Sequence, residues 1–227
     1  KRVLTKPISS FTPFTLLDYP HKAACILWYA GCNMKCLYCY NPEIVLGKGT
    51  ISFDTILEFL NKRIGLLDAV VFSGGECTIH KNIAENIKQA KALGFLVKVD
   101  TNGSKPELLK QLIEENAIDY VALDFKALPS KFENITQSNL YESFEKSLQV
   151  LLKSKLSFEV RTTYHSELCS IDDLTKMQNY LEEKGYLGNF YVQNFVNGSD
   201  TLSPLPRSIS LKLEELDALK KPTLVVR

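Results

Sequence analysis

Short β-branched and aromatic runs alternate with amphipathic stretches along most of the chain, a pattern that predicts repeated strand–helix units. The strand-like runs are 23–28, 68–72, 95–99, 119–124, 157–163 and 189–194. The helix-like stretches between them lie near 53–63, 81–93, 106–116, 139–153 and 171–184. Ser52 before the first helix and Gly185 after the fifth are typical signals of helix ends.

Six strands that alternate with helices favour a parallel sheet whose connections are right-handed crossovers. Six units are too few to close the usual eight-stranded barrel. We therefore predict an α/β fold, an incomplete, open-sided parallel (β/α)6 barrel, with a doubly wound sheet as the alternative. No repeat or linker divides the 227 residues, so we expect a single domain over 1–227. Its core would cover about 20–195, with a C-terminal extension over about 196–227.

Charge and composition exclude several classes of function. The chain has 27 basic and 26 acidic side chains and a net charge of +1, which argues against a broad surface for nucleic acid. The apolar run at 23–30 is far shorter than the roughly 20 residues of a membrane-spanning helix. The first residues lack the pattern of a secretory signal. We expect a cytoplasmic protein with no nucleic-acid or membrane partner.

The residues that suggest chemistry follow successive predicted strands. Three cysteines come after the first strand, "SGGECT" at 73–78 after the second and "DTNG" at 100–103 after the third. Asp124 and Lys126 end the fourth strand, and Asn194 ends the sixth. Because ligands bind at the carboxyl ends of parallel strands, this arrangement predicts one active site assembled from several loops.

Cys32, Cys36 and Cys39 lie within eight positions of one loop. Half of the six cysteines crowd this loop, which favours a metal or redox site in a reducing compartment over disulfides. Three thiolates suit a 4Fe–4S cluster whose fourth iron accepts an outside ligand. A structural zinc site would need a fourth ligand, which Cys77 could supply. A third interpretation is three unrelated buried cysteines.

The spacing Cys32-x3-Cys36-x-Tyr38-Cys39 resembles the CxxxCxΦC signature of the radical S-adenosylmethionine superfamily, in which Φ is aromatic. "GGECT" resembles the GGE motif of the same superfamily. "PFTLLDYPHKAACILWYAGCNMKCLYCYNPE", "VDTNGSKPELLKQLIEENAIDYVALDFKA" and "EVRTTYH" resemble glycyl-radical-enzyme activases, in particular the branch that activates anaerobic ribonucleoside-triphosphate reductase. The resemblance extends over roughly residues 11 to 195.

The resemblance implies a 4Fe–4S cluster held by the three cysteines and S-adenosylmethionine bound to the open iron. Reductive cleavage of the cofactor would give a 5′-deoxyadenosyl radical, and Lys126 would act beside the reacting centre. Residues implied to contact the cofactor are Tyr38, Gly74, Gly75, Glu76, Asp100, Asn102, Asp124, Lys126 and Asn194. Within this set, Glu76 would accept the ammonium group of S-adenosylmethionine. A monovalent cation is also implied, at Asp100, Thr101 and Asp124.

Several of these residues have simpler interpretations. Tyr38 is also typical of a packing residue, and Asn102 with Gly103 is typical of a turn. Asp124 and Lys126 could form an ordinary surface ion pair of little energetic value. Asn194 stands near the place where some activases have histidine. Cys77 stands where relatives often have proline, and its residue type favours packing over a ligand role.

The expected activity is removal of a hydrogen atom from a glycine of anaerobic ribonucleoside-triphosphate reductase, with a flavodoxin or ferredoxin-type protein as electron donor. One alternative is an activase of another glycyl radical enzyme. A second is a radical enzyme that acts on a small molecule, similar to the deazapurine-forming synthase. A zinc-stabilised binding module is the non-enzymatic alternative. An open-sided barrel favours a macromolecular substrate, because a peptide loop can enter it from the side.

Overall fold

The computed structural model describes residues 5–212 and 223–226. Its strands are β1 (Ile8–Thr15), β2 (Ala24–Tyr29), β3 (Ala69–Gly74), β4 (Leu96–Thr101), β5 (Tyr120–Asp124), β6 (Ser157–Tyr164), β7 (Asn189–Asn194) and β8 (Thr223–Val226). Its helices are α1 (Pro42–Leu46), α2 (Phe53–Asn61), α3 (Ile83–Ala92), α4 (Pro106–Glu114), α5 (Pro129–Thr136), α6 (Tyr141–Lys153) and α7 (Ile171–Glu183). A 3₁₀ turn covers Cys77–Ile79.

The eight strands lie in one sheet in chain order, from β1 to β8. β1 is antiparallel to β2, whereas β2, β3 and β4 run parallel to one another, as do β6, β7 and β8. Within the described part of the chain the sheet is not closed into a complete barrel. This confirms the predicted fold class, an α/β fold with an open, mainly parallel sheet.

All six predicted strands and all five predicted helices are present, each within a few residues of its expected bounds. β3 illustrates why the strands were readable, because Ala69 to Phe72 are all fully buried. Parallel strands covered on both faces give such continuous apolar runs. Ser52 caps α2 through a bond from the Thr55 amide, and the backbone of Gly185 after α7 has a φ of 84°.

Two strands and two helices were not predicted. β1 has the sequence ISSFTPFT, whose hydroxyl side chains and Pro13 do not resemble a strand. It lies at the edge of the sheet, where a proline costs no ladder hydrogen bond. The four-residue β8 and the five-residue α1 are too short to show a period. In α5 the proline stands in the first turn, where it is tolerated.

Contacts divide the chain into two compact units. The first contains residues 5–33, 42–101 and 107–121, and the second contains 34–41, 102–106 and the described residues from 122 onwards. The expected C-terminal extension over 196–227 belongs to the second unit as far as it is described; 213–222 and 227 lie outside the described residues. No helix among the described residues is long and apolar enough to cross a membrane.

Candidate active site

In the first unit, the glycine loop after β3 packs against the backbone that follows β2. The amide of Gly75 donates to the Tyr29 carbonyl, and the amide of Glu76 donates to the Gly31 carbonyl, both at 2.9 Å. A Cβ added to Gly75 would lie 2.1 Å from the Gly31 oxygen and 3.2 Å from the Cβ of Cys32. Only glycine fits there, so the loop is held against the start of the cysteine segment.

Gly74 ends β3 with a φ of 123°, which a residue with a side chain rarely adopts. A Cβ on Gly74 would also lie 2.2 Å from the Tyr29 oxygen. The chain's own backbone therefore requires both glycines. Contact of these two glycines with the cofactor, which the resemblance implies, stays a prediction.

The carboxylate of Glu76 is buried, with 1% of the residue exposed. Its Oε1 accepts from the Thr78 amide at 3.2 Å, the Thr78 hydroxyl at 2.5 Å and the Thr101 hydroxyl at 2.9 Å. Hydrogen bonds of this kind stabilise the ionised form and fix its direction. Glu76 is thus an oriented anionic acceptor, which is the chemistry that an ammonium group requires.

Asp100 at the end of β4 contacts Ser73 and Cys77, which lie on either side of the glycine loop. Its Oδ2 accepts from the Ser73 hydroxyl at 3.0 Å, and its main-chain carbonyl accepts from the Cys77 thiol at 3.6 Å. The same thiol lies 3.5 Å from the Phe72 carbonyl. Burial, aided by the negative charges of Glu76 and Asp100, raises the pKa of Cys77 well above its usual value. A thiol held in its protonated form favours the packing role of Cys77 over a role as zinc ligand.

In the second unit, α5 holds the cysteine loop. The amides of Lys35 and Leu37 donate to the carbonyls of Thr136 and Ile135, at 2.8 and 2.9 Å, so the end of the helix supplies acceptors to the loop. Cys36 is buried and Cys39 is partly exposed. The carbonyl of Cys39 accepts from the amide of Leu202 at 3.2 Å, which attaches the C-terminal extension to the loop.

Tyr38 in this loop is 4% exposed, and its hydroxyl has no hydrogen-bond partner among the described residues. Burial raises the pKa of Tyr38 well above its usual value, although the nearby charge of Lys126 opposes the shift. An orphaned hydroxyl at such depth is unusual in a residue that only packs. The cofactor contact of Tyr38, which the resemblance implies, stays a prediction.

Asp124 lies between Lys126 and Arg161 in a partly buried cluster of charges, not in an exposed ion pair. The Nζ of Lys126 donates to Asp124 Oδ2 at 2.9 Å, and the Nε of Arg161 donates to Oδ1 at 2.5 Å. Burial alone would raise the pKa of Asp124, but Arg161 and Lys126 lower it to about 2. Burial alone would lower the pKa of Lys126. The charge of the Asp124 carboxylate has the larger effect and raises the pKa of Lys126 well above its usual value. All three groups are therefore ionised at neutral pH.

The remaining predicted cofactor residues make local bonds. Asn102 Oδ1 accepts from the Ser104 amide at 3.0 Å, which is the turn that its sequence context indicated. The side-chain amide of Asn194 donates to the Leu211 carbonyl at 3.2 Å and accepts from the Leu211 amide at 2.8 Å. Asn194 thus fastens the C-terminal extension to the end of β7, a role that the sequence did not suggest.

The structure brings the predicted residues of each unit together. Gly74, Gly75, Glu76 and Asp100 form one wall in the first unit, which Ser73 and Thr101 complete. Lys126 interacts electrostatically with Asp124, Tyr38 and Cys36 in the second unit. Within residues 5–212 and 223–226, no three His, Cys, Asp or Glu side chains are already arranged to hold a metal ion. Cluster binding by Cys32, Cys36 and Cys39 therefore stays a prediction from the motif.

Residues 26–166 match the model of the radical SAM superfamily, which is more than half of the chain. The chain belongs to the radical SAM superfamily. It is 33% identical over 174 residues to a protein of Methanocaldococcus jannaschii that is provisionally named a glycyl-radical enzyme activating enzyme. That alignment covers 74% of this chain and 72% of the relative. A second such protein of the same organism is 25% identical, with 79% and 66% covered.

Among solved structures, anSMEcpe with bound AdoMet superposes with a TM-score of 0.60 at 20% identity. The superposition covers 74% of this radical SAM chain and 49% of that protein, so the chain spans about half of the solved enzyme. At this identity the likeness supports the fold, and its bound cofactor is a property of that enzyme.

Membership of the superfamily implies a 4Fe–4S cluster and S-adenosylmethionine, and two observations fit these groups. Lys126 places a positive charge near Cys36, and a nearby cation favours the thiolate that an iron ligand requires. Glu76 presents a buried, oriented carboxylate suited to an ammonium group. A monovalent cation has no comparable support.

Proposed function

We propose that the protein is an activating enzyme that removes a hydrogen atom from a glycine of anaerobic ribonucleoside-triphosphate reductase. The observation that carries the proposal is the match to a glycyl-radical enzyme activating relative over most of both chains. The motifs that suggested the reductase as partner are those at the cysteine loop, the glycine loop and the ends of β4 and β5. An electron donor of the flavodoxin or ferredoxin type belongs to the same proposal.

Cys32, Cys36 and Cys39 are proposed as the ligands of one 4Fe–4S cluster. With the cluster and S-adenosylmethionine bound and one electron from the donor protein, these groups would supply the 5′-deoxyadenosyl radical that takes the hydrogen atom, with methionine as the other product of the cleavage. Cys36 lies near the charge of Lys126, which favours its thiolate. Cys32 follows Gly31, whose carbonyl is fixed by the Glu76 amide. The protein's contribution is to hold these groups in position and to exclude water.

The remaining proposed contacts divide by chemistry. Glu76 accepts the ammonium group of the cofactor, and its direction is set by the bonds from Thr78 and Thr101. Tyr38 supports the adenine, and Lys126 supplies positive charge beside the reacting centre. The other proposed cofactor contacts are Gly74, Gly75, Asp100, Asn102, Asp124 and Asn194.

Anaerobic reconstitution tests the cluster ligands. Replacing Cys32, Cys36 or Cys39 with alanine is expected to abolish the brown colour and the bound iron, because three thiolates cannot be reduced to two without losing the cluster. Cys77→Ala is the matched control, since Cys77 is buried near the same wall and its thiol bonds only carbonyl groups in the hydrogen bonds described above. Stoichiometric zinc that disappears with Cys77→Ala would establish the binding-module alternative.

Electron spin resonance tests the substrate. The reduced protein with S-adenosylmethionine and the reductase should produce a doublet from an α-carbon radical on the reductase. Deuterium on the partner's glycine should pass into 5′-deoxyadenosine. Absence of the doublet, together with transfer of label from a small molecule, would replace the activase by a small-molecule enzyme similar to the deazapurine-forming synthase. A doublet on a different glycyl radical enzyme would support the activase function and show that the proposed partner is wrong.

A further inference from the structure

Lys98 is a buried lysine inside the apolar strand β4, and the motifs give it no role. Only 3% of its side chain is exposed. Its Nζ lies 3.3 Å from Asp100 Oδ1, donates to the Asp18 carbonyl at 2.5 Å and lies 5.8 Å from the centre of the Tyr120 ring. Lysine is almost never buried to this degree unless its charge is compensated. The ammonium group is thus built into the wall that carries Asp100.

The strand geometry explains the pairing. Residues two apart on a strand point to the same face, so Lys98 and Asp100 share one face of β4. Lys98 is also paired with Val71 in the neighbouring β3, and Ser73 lies two residues further along that strand. The Ser73 hydroxyl bonds one oxygen of Asp100 while Lys98 faces the other. The carboxylate therefore has a hydroxyl on one side and a full positive charge on the other.

The second carboxylate implied in cation binding is also compensated. In its own unit, Asp124 has Arg161 on one oxygen and Lys126 on the other. An ammonium or guanidinium nitrogen already lies within 3.3 Å of an oxygen of each carboxylate. A sodium or potassium ion bound to either carboxylate would therefore have to come close to that positively charged group. Like charges at that separation in a buried place repel strongly. The residues present therefore do not fit the monovalent cation that the resemblance implied.

We propose that the ammonium group of Lys98 supplies the positive charge at Asp100 that the resemblance assigns to a monovalent cation, so that this protein neither needs nor binds one there. Lys98 is then a positioning residue, which acts through Asp100 and the Ser73 hydroxyl near the end of β3 on the glycine loop that leads to Glu76. The part of the test that uses S-adenosylmethionine rests on the cofactor binding of the proposed function. The part that uses the cluster-free protein does not.

The parent protein gives the first test, with no variant needed. Affinity for S-adenosylmethionine is measured by calorimetry on the reconstituted protein in potassium, sodium or choline chloride at equal ionic strength. The Tm of the cluster-free protein is measured in the same three salts. We expect the affinity and the Tm to be the same in all three salts. An affinity about tenfold higher in potassium or sodium than in choline would show coupling to a bound cation and overturn the proposal.

Lys98→Ala gives the second test, because it removes the charge and opens space beside Asp100. The Tm of the cluster-free variant should fall by on the order of 10 °C, since a buried charge loses its partner. Potassium or methylammonium should recover part of this loss, and choline, which is too large, should not. Lys91→Ala is the matched control; it breaks a more exposed ion pair, in which 32% of the Lys91 side chain and 25% of the Asp119 side chain are exposed, and it should show no rescue by cations.

A double variant keeps the test decisive if Lys98→Ala fails to fold. Lys98→Met combined with Asp100→Asn removes both charges at nearly constant volume and should recover most of the lost Tm. Equal Tm in the parent and Lys98→Ala would overturn the positioning role. If the protein binds no S-adenosylmethionine under any condition, the proposed function fails, while the Tm comparisons still decide the role of Lys98.

Discussion

The two units hold their site carboxylates in different ways. In the first unit, Glu76 and Asp100 accept hydrogen bonds from hydroxyl groups and one amide, and Lys98 faces Asp100. In the second unit, Asp124 is fixed by two cations, Arg161 and Lys126, whose side chains are 18% and 19% exposed. Hydroxyl donors orient a carboxylate and leave its charge available. Two cations around one carboxylate leave an excess positive charge. The first arrangement suits an ammonium ligand, and the second suits an anionic or electron-rich one.

The largest effect is expected from breaking the buried pair in the first unit. Asp100→Ala leaves Lys98, which is 3% exposed, without its counter-charge. Removing one partner of such a pair typically costs about 3–5 kcal/mol, and we expect that loss in urea unfolding of the cluster-free protein. Asp172→Ala, which breaks an exposed pair with Lys176, should cost less than about 1 kcal/mol. Equal losses in the two variants would contradict the distinction between buried and exposed pairs.

The next effect tests whether the hydroxyl-bound carboxylate serves the cofactor. Glu76→Gln keeps the shape and removes the charge, so a charge-assisted bond worth about 1.5–3 kcal/mol is weakened. Affinity for S-adenosylmethionine should fall by about 10- to 100-fold at unchanged cluster content. The measurement is calorimetric titration of the reconstituted protein. Equal affinity in parent and variant would remove Glu76 from the binding site.

Acid should act on the cation-bound carboxylate of the second unit. The folded pKa of Asp124, about 2, lies below the value near 4 of an unfolded aspartate. Its contribution is therefore present above about pH 4 and is lost as the pH falls through about 2. The difference between the two pKa values corresponds to about 2–3 kcal/mol of stability. Urea unfolding of the cluster-free protein between these pH values should show a flatter pH dependence for Asp124→Asn than for the parent; parallel curves would contradict it.

The smallest effect concerns Asn194, which is implied as a cofactor contact and bonds both backbone groups of Leu211. Asn194→Ala should lower the free energy of unfolding by about 1–2 kcal/mol through these two bonds. As a proposed cofactor contact, the same variant should also lower the affinity for S-adenosylmethionine, by less than Glu76→Gln because a neutral amide makes a weaker bond than a charged carboxylate. Unchanged affinity would leave Asn194 only its structural role at Leu211.

The fold was largely predictable because its strands are buried on both faces. A short run with β-branched residues such as AVVF at 69–72 is typical of a strand in the middle of a covered sheet, and its residues are fully buried. β1 was missed because its hydroxyl residues and Pro13 resemble a loop, and only the neighbouring β2 makes it a strand. The pairing of Ile8 with Tyr29 is a long-range contact that no local pattern contains.

The sequence predicted those site residues that belong to a recognisable motif. It did not predict the residues whose role depends on their contacts in the folded protein. The cysteine spacing and the GGE motif can be recognised in the sequence alone. Lys98, in contrast, stands in FLVKV, where a single polar residue suggests a solvent-facing position. The strand was expected to be buried on both faces, and a buried lysine requires a compensating partner. This conflict was the signal in the sequence that could have revealed the role of Lys98. Arg161 is similar, because its contact with Asp124 depends on two strands far apart in sequence.

The hydrogen bond from the Leu202 amide to the Cys39 carbonyl makes the C-terminal extension a reporter of the cysteine loop. An amide proton exchanges with solvent deuterium only as often as its hydrogen bond opens. If Cys39 binds a cluster as proposed, the backbone around it would be fixed and that opening would become rarer. Deuterium uptake by a peptide that contains Leu202 would then report the metallation state of the protein by mass alone, without colour, spin signal or turnover.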